Sequence, residues 1–281
     1  MKPSTILCFS VLTLFFNFTQ LSAQWKGFSS ISENIKASDG IITQLRLEWS
    51  GGARQVKAQL QGTMELYADR EEIKRISEGG SFVLEERSGK IYRQVIVSSD
   101  KGEKLEYRYE VQAEPAVFSG IAKQWFDDLL LEIVHEAGIN SRQRAQAIYA
   151  VSGEQGILRE ISQIERERSK RFYYERLLEN KFVSDSTLIA VAQQIKNEFT
   201  ADVNLRIVIS DIVSKHKMSD RTLIELLRAV KEVNNEVTQA NLLTDIATIL
   251  PNDQKVVAFY RKVANAIHSD VERQRALSAT K

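Results

Sequence analysis

Cysteine, histidine and proline are scarce in this chain of 281 residues, which has one cysteine, three histidines and three prolines. The one cysteine, Cys8, lies within an apolar N-terminal stretch that we expect to be removed. Without it, the remaining chain can form no disulfide, no Cys–His nucleophile and no thiolate zinc site. A hydrophobic core must therefore stabilise the fold, and a chain of this length can bury one.

Glycine is absent from the last part of the chain, because all 13 glycines lie at or before Gly156. Glycine supports tight turns between strands and weakens helix interiors, so this asymmetry predicts a β-rich front followed by a helical back. A strong net charge is also missing, since 38 Lys and Arg balance 37 Asp and Glu. The chain as a whole offers no electrostatic attraction for nucleic acid, and we expect no nucleic-acid partner.

The first 23 residues have the composition of a secretory signal peptide. Lys2 precedes an apolar run from Ile6 to Phe18, and the small residue Ala23 follows. About a dozen apolar residues are typical of a cleaved signal, whereas a transmembrane helix needs about 20. The alternative is an uncleaved membrane anchor. We predict cleavage after Ala23 and a secreted or periplasmic protein, with no stable membrane insertion after cleavage.

Residues 24–118 show the pattern of an antiparallel β domain. Apolar and polar residues alternate from Thr43 to Trp49 and again from Leu105 to Val111. Turn signals that contain glycine separate such runs from one another. Because one side of each run is polar, the strands fit an antiparallel sheet with one solvated face better than a parallel sheet.

The other face of this sheet needs an apolar cover, and the segment after Pro115 supplies a candidate. Apolar residues recur there at three- and four-residue spacing, as on one face of an amphipathic helix. They are Ala122, Trp125, Phe126, Leu129, Leu130 and Ile133. We expect this helix to join the sheet to the helices that follow.

Residues 119–281 carry a repeat of about 34 residues. Ser184-Asp185 and Ser219-Asp220 open similar segments, and a weaker third copy begins at Pro251. Ser and Asp in such positions cap helix N-termini. An acidic residue followed by valine also recurs every 34 residues, at Asp202-Val203, Glu236-Val237 and Asp270-Val271. Each unit is therefore predicted to contain two helices.

Periods of this length are typical of stacked helical hairpins. Tetratricopeptide repeats share the period but need a glycine in the first helix, so we favour a looser, HEAT-like solenoid. The predicted fold class is thus α+β, with an antiparallel β-sheet domain at 24–118 followed by an all-α helical-hairpin domain at 119–281. An irregular helical bundle is the alternative for the second domain.

The order of several segments resembles an uncharacterised bacterial secreted or envelope family with a β-rich N-terminal part and HEAT-like helical repeats. The segments are Gly62-Thr63-Met64-Glu65-Leu66, Ser77-Glu78-Gly79-Gly80-Ser81-Phe82, Trp125, Gly138-Ile139-Asn140-Ser141 and the repeated Ser-Asp helix starts. Similar segments sometimes accompany membrane metallopeptidases of the antibiotic-sensing type. The resemblance implies architecture and compartment only, because the His-Glu-x-x-His motif of the peptidase is absent.

The most distinctive candidate surface is a stretch in which basic and aromatic side chains lie close together. Arginine and tyrosine are common anchors of protein interfaces. The candidate binding residues are Arg166, Arg168, Lys170, Arg171, Tyr173 and Tyr174. The alternative is a charged helix junction with Phe172 and one tyrosine in the core.

Signatures of catalysis, metal binding and phosphate binding are missing. No Gly-x-Ser-x-Gly elbow and no phosphate-binding loop occur in the sequence. Glu132 and His135 have Glu-x-x-His spacing, but no second pair supplies the remaining ligands of a carboxylate-bridged metal site. We therefore expect His135 to be a solvated or capping residue, and we predict no catalytic residue, no metal ligand and no cofactor.

Three functions are compatible with these observations. The preferred one is an exported, non-enzymatic binding or scaffold protein of the cell envelope, which acts through contacts with a protein partner. The first alternative is an envelope hydrolase of unfamiliar type, with carboxylates at the joint between sheet and helices. The second is a sensory module for a membrane partner, which rests on the family resemblance.

Overall fold

The computed structural model describes residues 30–38, 40–68, 72–100 and 104–280, so the predicted signal peptide and Cys8 lie outside the described residues. Within that part of the chain, nine strands precede nine helices, which confirms the α+β class. The strands are β1 (Ser30–Ser38), β2 (Ile41–Gly51), β3 (Arg54–Gln61), β4 (Met64–Leu66), β5 (Ile73–Ile76), β6 (Ser81–Ser88), β7 (Ile91–Asp100), β8 (Lys104–Val111) and β9 (Glu114–Ala116). The helices are α1 (Ile121–Ala137), α2 (Ser141–Gln163), α3 (Glu167–Leu178), α4 (Asp185–Glu198), α5 (Asp202–Lys215), α6 (Asp220–Lys231), α7 (Glu236–Ala247), α8 (Gln254–Asn265) and α9 (Asp270–Ser278).

The strands form one antiparallel sheet, as the alternating pattern predicts. Its order is β5-β4-β2-β3-β6-β7-β8-β9, and β1 pairs with β2. In β2, Leu45 and Leu47 are 2% exposed and Trp49 is fully buried, so one face carries the core. The polar strand β1 has no apolar alternation strong enough to reveal it in the sequence, and it pairs only with β2 in the described chain.

Helix α1 covers the buried face of the sheet, and its predicted apolar stripe is confirmed. Ala122, Phe126, Leu129, Leu130 and Ile133 are buried in one hydrophobic cluster with the strands, and Trp125 packs against the cluster. The cluster extends to Ile139, whereas the later helices share a second cluster. The packing therefore divides after Ile139, although the sequence placed the change of domain at residue 118.

The end of α1 depends on glycine. Gly138 has a φ of +66°, a left-handed conformation that L residues adopt at a cost, and it forms the predicted C-cap. A Cβ atom at this position would lie 2.6 Å from Cδ2 of Phe172. Glycine therefore lets the chain turn and lets α3 approach α1 closely.

The helices after Ile139 pair regularly in two rows. Helix α2 bends at Gly153, so its second half stacks with the repeats. Row A contains this half of α2 with α4, α6 and α8, and row B contains α3, α5, α7 and α9. Helices that follow each other within a row are in contact, and so are the two helices of each unit. This arrangement is a stack of helical hairpins, as predicted, and not an irregular bundle.

The apolar stripes of the repeats lie between the two rows. The equivalent residues Leu188 and Leu223 are buried, as are Val191 and Leu226 one turn later. Their side chains belong to one continuous cluster that runs through the stack. Among the described helices, none combines the length and the apolarity that a bilayer crossing requires.

Candidate functional site

The predicted binding residues lie at the start of α3, where the helical stack meets the sheet. Tyr173 and Tyr174 are fully buried, and the hydroxyl of Tyr174 donates a hydrogen bond of 3.0 Å to Oε1 of Gln194. Burial raises the pKa of Tyr174 well above its usual value. Both tyrosines are thus core residues, because this face of α3 packs against its neighbours. Their rings lie too deep to anchor an interface.

The basic members of the same set are mostly held in ion pairs. Lys170 is buried and pairs with Glu198, and Arg166 pairs with Glu33 of β1. Arg171 lies 3.6 Å from Glu175. Only Arg168 is exposed among the six residues. The stretch therefore forms a charged helix junction, which corrects the expectation of an open contact surface.

A buried polar cluster joins α1 to α2 behind this junction. Nε2 of His135 lies 2.7 Å from Oε1 of Glu160, and Arg144 donates to the same oxygen. Burial raises the pKa of Glu160, but the bonds from His135 and Arg144 outweigh it and lower the pKa to about 2. The expectation that His135 is a solvated or capping residue is wrong, since it is 5% exposed and bound to a carboxylate 25 residues away.

The neighbouring Glu136 shows how the stack is fixed to α1. Its two carboxylate oxygens accept hydrogen bonds from the backbone N–H groups of Glu165 (2.7 Å) and Arg166 (2.8 Å). These donors lie at the N-terminus of α3, where backbone N–H groups lack partners within the helix. A carboxylate also interacts favourably with the positive end of the helix dipole.

The same arrangement recurs along row B, from one unit to the next. Glu167, in the first turn of α3, accepts bonds from the backbone N–H groups of Thr200 (2.8 Å) and Ala201 (3.1 Å) before α5. Asp202 accepts from the N–H groups of residues 234 (3.0 Å) and 235 (2.7 Å) before α7. Glu236 then accepts from the N–H groups of residues 268 (2.8 Å) and 269 (3.0 Å) before α9.

Row A has two equivalent contacts. Glu154 accepts from the N–H of Ser184 (2.9 Å) and the hydroxyl of Thr187 (2.6 Å) at the start of α4. Asp185 accepts from the N–H of Ser219 (3.0 Å) and from the hydroxyl groups of Ser219 and Thr222 at the start of α6. The next step is missing among the described residues, because Asp253 stands where Ser184 and Ser219 stand before.

We call these six residues the carboxylate ladder: Glu136, Glu154, Glu167, Asp185, Asp202 and Glu236. Burial raises the pKa of Glu154, Glu167 and Asp185, but the hydrogen bonds that each accepts outweigh burial and keep the pKa below its usual value. The carboxylates are therefore charged at neutral pH. The ladder couples neighbouring helical units in register, which makes the stack a continuous surface.

Two sets of equivalent positions face solvent on this stack. Val203, Val237 and Val271 lie in the first turns of the last three row B helices and are 53%, 49% and 75% exposed. We call them the valine row. Gln193, Arg228 and Lys262 are exposed at equivalent positions of row A. Row B thus presents a repeated apolar side chain, whereas row A presents polar and basic ones.

The joint between sheet and α1 is the place where the hydrolase alternative requires free carboxylates. A depression of about 260 Å³ is lined there by Arg54, Glu86, Trp125, Asp128 and Glu132, among others. Arg54 donates to both oxygens of Glu132 (2.6 and 2.8 Å) and to Glu86 (2.7 Å). Burial raises the pKa of Glu132 against the effect of Arg54, and burial with nearby Asp127 raises that of Asp128. Two of the three carboxylates are thus held by one guanidinium.

Metal-ligating side chains do not converge in the described residues: no three His, Cys, Asp or Glu side chains are placed as ligands of one ion. Comparison with known proteins adds no assignment. A scan against protein families, a search of curated proteins and a search of solved structures each gave no match to this chain. The family resemblance stated from the sequence therefore stays a prediction.

Sequence reasoning located the helix starts but missed what their acids do. It interpreted Asp185, Asp202 and Glu236 as signals of their own helices. In the structure, each carboxylate caps the helix of the next unit. A usable signal was present, because an acid in the first turn recurs about 34 residues before a residue that precedes or caps the next helix.

Proposed function

We propose that this chain is an exported, non-enzymatic binding or scaffold protein of the cell envelope that acts through protein–protein contacts. The observation that carries the proposal is the stack of helical hairpins coupled by the carboxylate ladder. Stacked hairpins provide extended contact surfaces without special chemistry. Export to the periplasm or the exterior rests on the N-terminal sequence pattern.

The valine row is the part of the stack that we assign to the partner. Single exposed apolar residues are ordinary on protein surfaces. Three equivalent valines on successive units are more than that, because the ladder holds them in one line. A partner with a complementary apolar strip could contact all three, and the loss of each contact would weaken binding.

A site-directed crosslinking experiment tests this proposal. Once Cys8 is removed with the signal, a cysteine at Val237 would be the only thiol, and a photoreactive group can be attached to it. The matched control is Arg228→Cys, on the row A helix of the same unit. We expect a discrete protein adduct from envelope extract with the probe at 237 and none with the probe at 228.

A triple variant extends the test to affinity. Substitution of the valine row by serine should abolish the adduct, monitored with a probe at the exposed Asn241 of the same helix. The fold should be retained, because exposed substitutions usually change stability by less than about 0.5 kcal/mol. Adducts of equal yield at positions 237 and 228, or no discrete adduct at either, would refute the assignment.

The hydrolase alternative is favoured by one observation, the raised pKa of Asp128 and Glu132 in the same depression. General acid catalysis uses a carboxyl group with such a raised pKa. It is the weaker candidate, because Arg54 occupies both oxygens of Glu132. Activity on envelope polymers that disappears in Asp128→Asn would favour the hydrolase over the scaffold. No structural observation favours the sensory module.

A further inference from the structure

The N-terminus of α2 differs from the helix starts of the carboxylate ladder. Its N-cap residue is Asn140, in a left-handed conformation with φ +60°, and no side chain caps the helix. The first backbone N–H groups of a helix have no partner within it and carry the positive end of its dipole. This end is therefore electropositive and offers donors in the described structure.

A second, independent observation at this place concerns the side chain of Asn140. The residue is 9% exposed, and within the described residues neither Nδ2 nor Oδ1 has a hydrogen-bond partner. Buried polar groups in folded proteins are almost always paired, so an orphaned amide requires an explanation. The amide lies against the turn at Gly40, where an added Cβ atom would be 3.7 Å from Oδ1.

The amide borders a cavity of about 250 Å³ between this turn and the first turn of α2. A water molecule takes about 30 Å³ of liquid volume, so the space holds more than a single water. Ser141, Arg142 and Gln143 line the cavity from α2, and Ser38 and Gly40 line it from the opposite side. The lining thus combines hydroxyl groups, amides and one guanidinium.

Arg142 supplies the positive charge of this lining. Its side chain is 51% exposed, and its nearest acid is Glu179, which lies 3.4 Å away. Glu179 is also paired with Arg176. Such a long contact at the surface contributes little, so the guanidinium can turn toward an anion in the cavity.

From these observations we infer that the cavity at the start of α2 binds a small molecule through an oxyanion, either a phosphate or a carboxylate. The helix N-terminus, Arg142 and Nδ2 of Asn140 donate to the oxyanion, as helix starts do in known anion sites. Oδ1 of Asn140 accepts a hydrogen bond from the same ligand, either from a protonated phosphate oxygen or from an N–H or O–H group beside a carboxylate. Binding would satisfy the orphaned amide.

The experiment titrates the purified chain with sodium phosphate and, separately, with succinate, at constant ionic strength set by sodium chloride. The backbone amide signals of Ser141, Arg142 and Gln143 report binding by NMR, and thermal unfolding reports stabilisation. Saturable shifts of these signals with either probe support the site, and the probe that acts identifies the class of oxyanion. Absence of saturable shifts with both probes would overturn the inference.

Three variants keep the result specific. Asn140→Gly removes the amide while glycine keeps the left-handed conformation, so this variant should fold at least as stably and lose affinity by more than tenfold. Arg142→Gln should lower affinity about tenfold or more because it removes the charge. The matched control Arg206→Gln, on exposed α5, should leave affinity unchanged. Unaltered binding in both of the first two variants would place the anion elsewhere and refute the site.

Discussion

Removal of one ladder carboxylate should loosen the stack at a defined point. In Glu167→Gln the volume is kept, but the charge that faces the start of α5 is lost. Glu167 accepts bonds from the N–H and hydroxyl of Thr200 (2.8 and 2.6 Å), the N–H of Ala201 (3.1 Å) and Nδ2 of Asn204 (3.1 Å). The glutamine retains one acceptor oxygen and turns an NH₂ group toward these donors.

The expected loss of stability follows from these contacts. A hydrogen bond to a charged group contributes about 1.5–3 kcal/mol, and the helix dipole adds about 0.3–1 kcal/mol. Because one acceptor oxygen of the side chain at position 167 remains, we expect the free energy of unfolding to fall by about 2 kcal/mol. Glu232→Gln is the matched control, since this exposed acid lies at the end of α6 and caps no other helix.

Urea unfolding followed by helical circular dichroism measures the loss, and hydrogen exchange locates it. The amides of Thr200 and Ala201 should exchange faster in Glu167→Gln than in Glu232→Gln. The pKa of Glu167 is lowered, so its contribution is present above the usual glutamate pKa and is lost as pH falls through the lowered value. Equal unfolding midpoints and equal exchange in the two variants would refute the reasoning.

Three further changes test other parts of the account. Glu160→Gln should cost about 3–5 kcal/mol, because it leaves Arg144 buried without its carboxylate; in the parent protein this stability should decline as pH falls from about 4.5 toward 2. Asp253→Ser should raise the urea midpoint by supplying the missing row A contact for Asp220. Gly138→Ala should lower the thermal midpoint by several degrees, because alanine strains the left-handed turn and its Cβ meets α3; an unchanged midpoint would contradict the close approach.

The parts of the fold that depend on local periodicity could be predicted from the sequence. Alternation in β2 and helical spacing in α1 each reflect one buried face, so the pattern of Leu45, Leu47 and Trp49 or of Phe126 and Leu129 is visible in a short window. The glycine-poor repeats likewise indicate helical hairpins. Strand β1 could not be found, because its exposed edge position imposes little pattern on its residues.

Contacts between distant segments could not be predicted in the same way. Whether Tyr173 and Tyr174 face solvent depends on the packing of α3 against later helices. The buried state of His135 depends on Glu160, which a bend at Gly153 brings into place. The orphaned amide of Asn140 arises only when the sheet and α2 meet.

The central claim is that first-turn carboxylates couple each helical unit to the next, and a double-mutant cycle between Asp185 and Thr222 tests it most directly. Asp185→Asn, Thr222→Val and the double variant would be unfolded in urea. The account predicts an interaction free energy of about 1–2 kcal/mol, because the two side chains share a buried hydrogen bond across units. Effects that add within about 0.3 kcal/mol would contradict it.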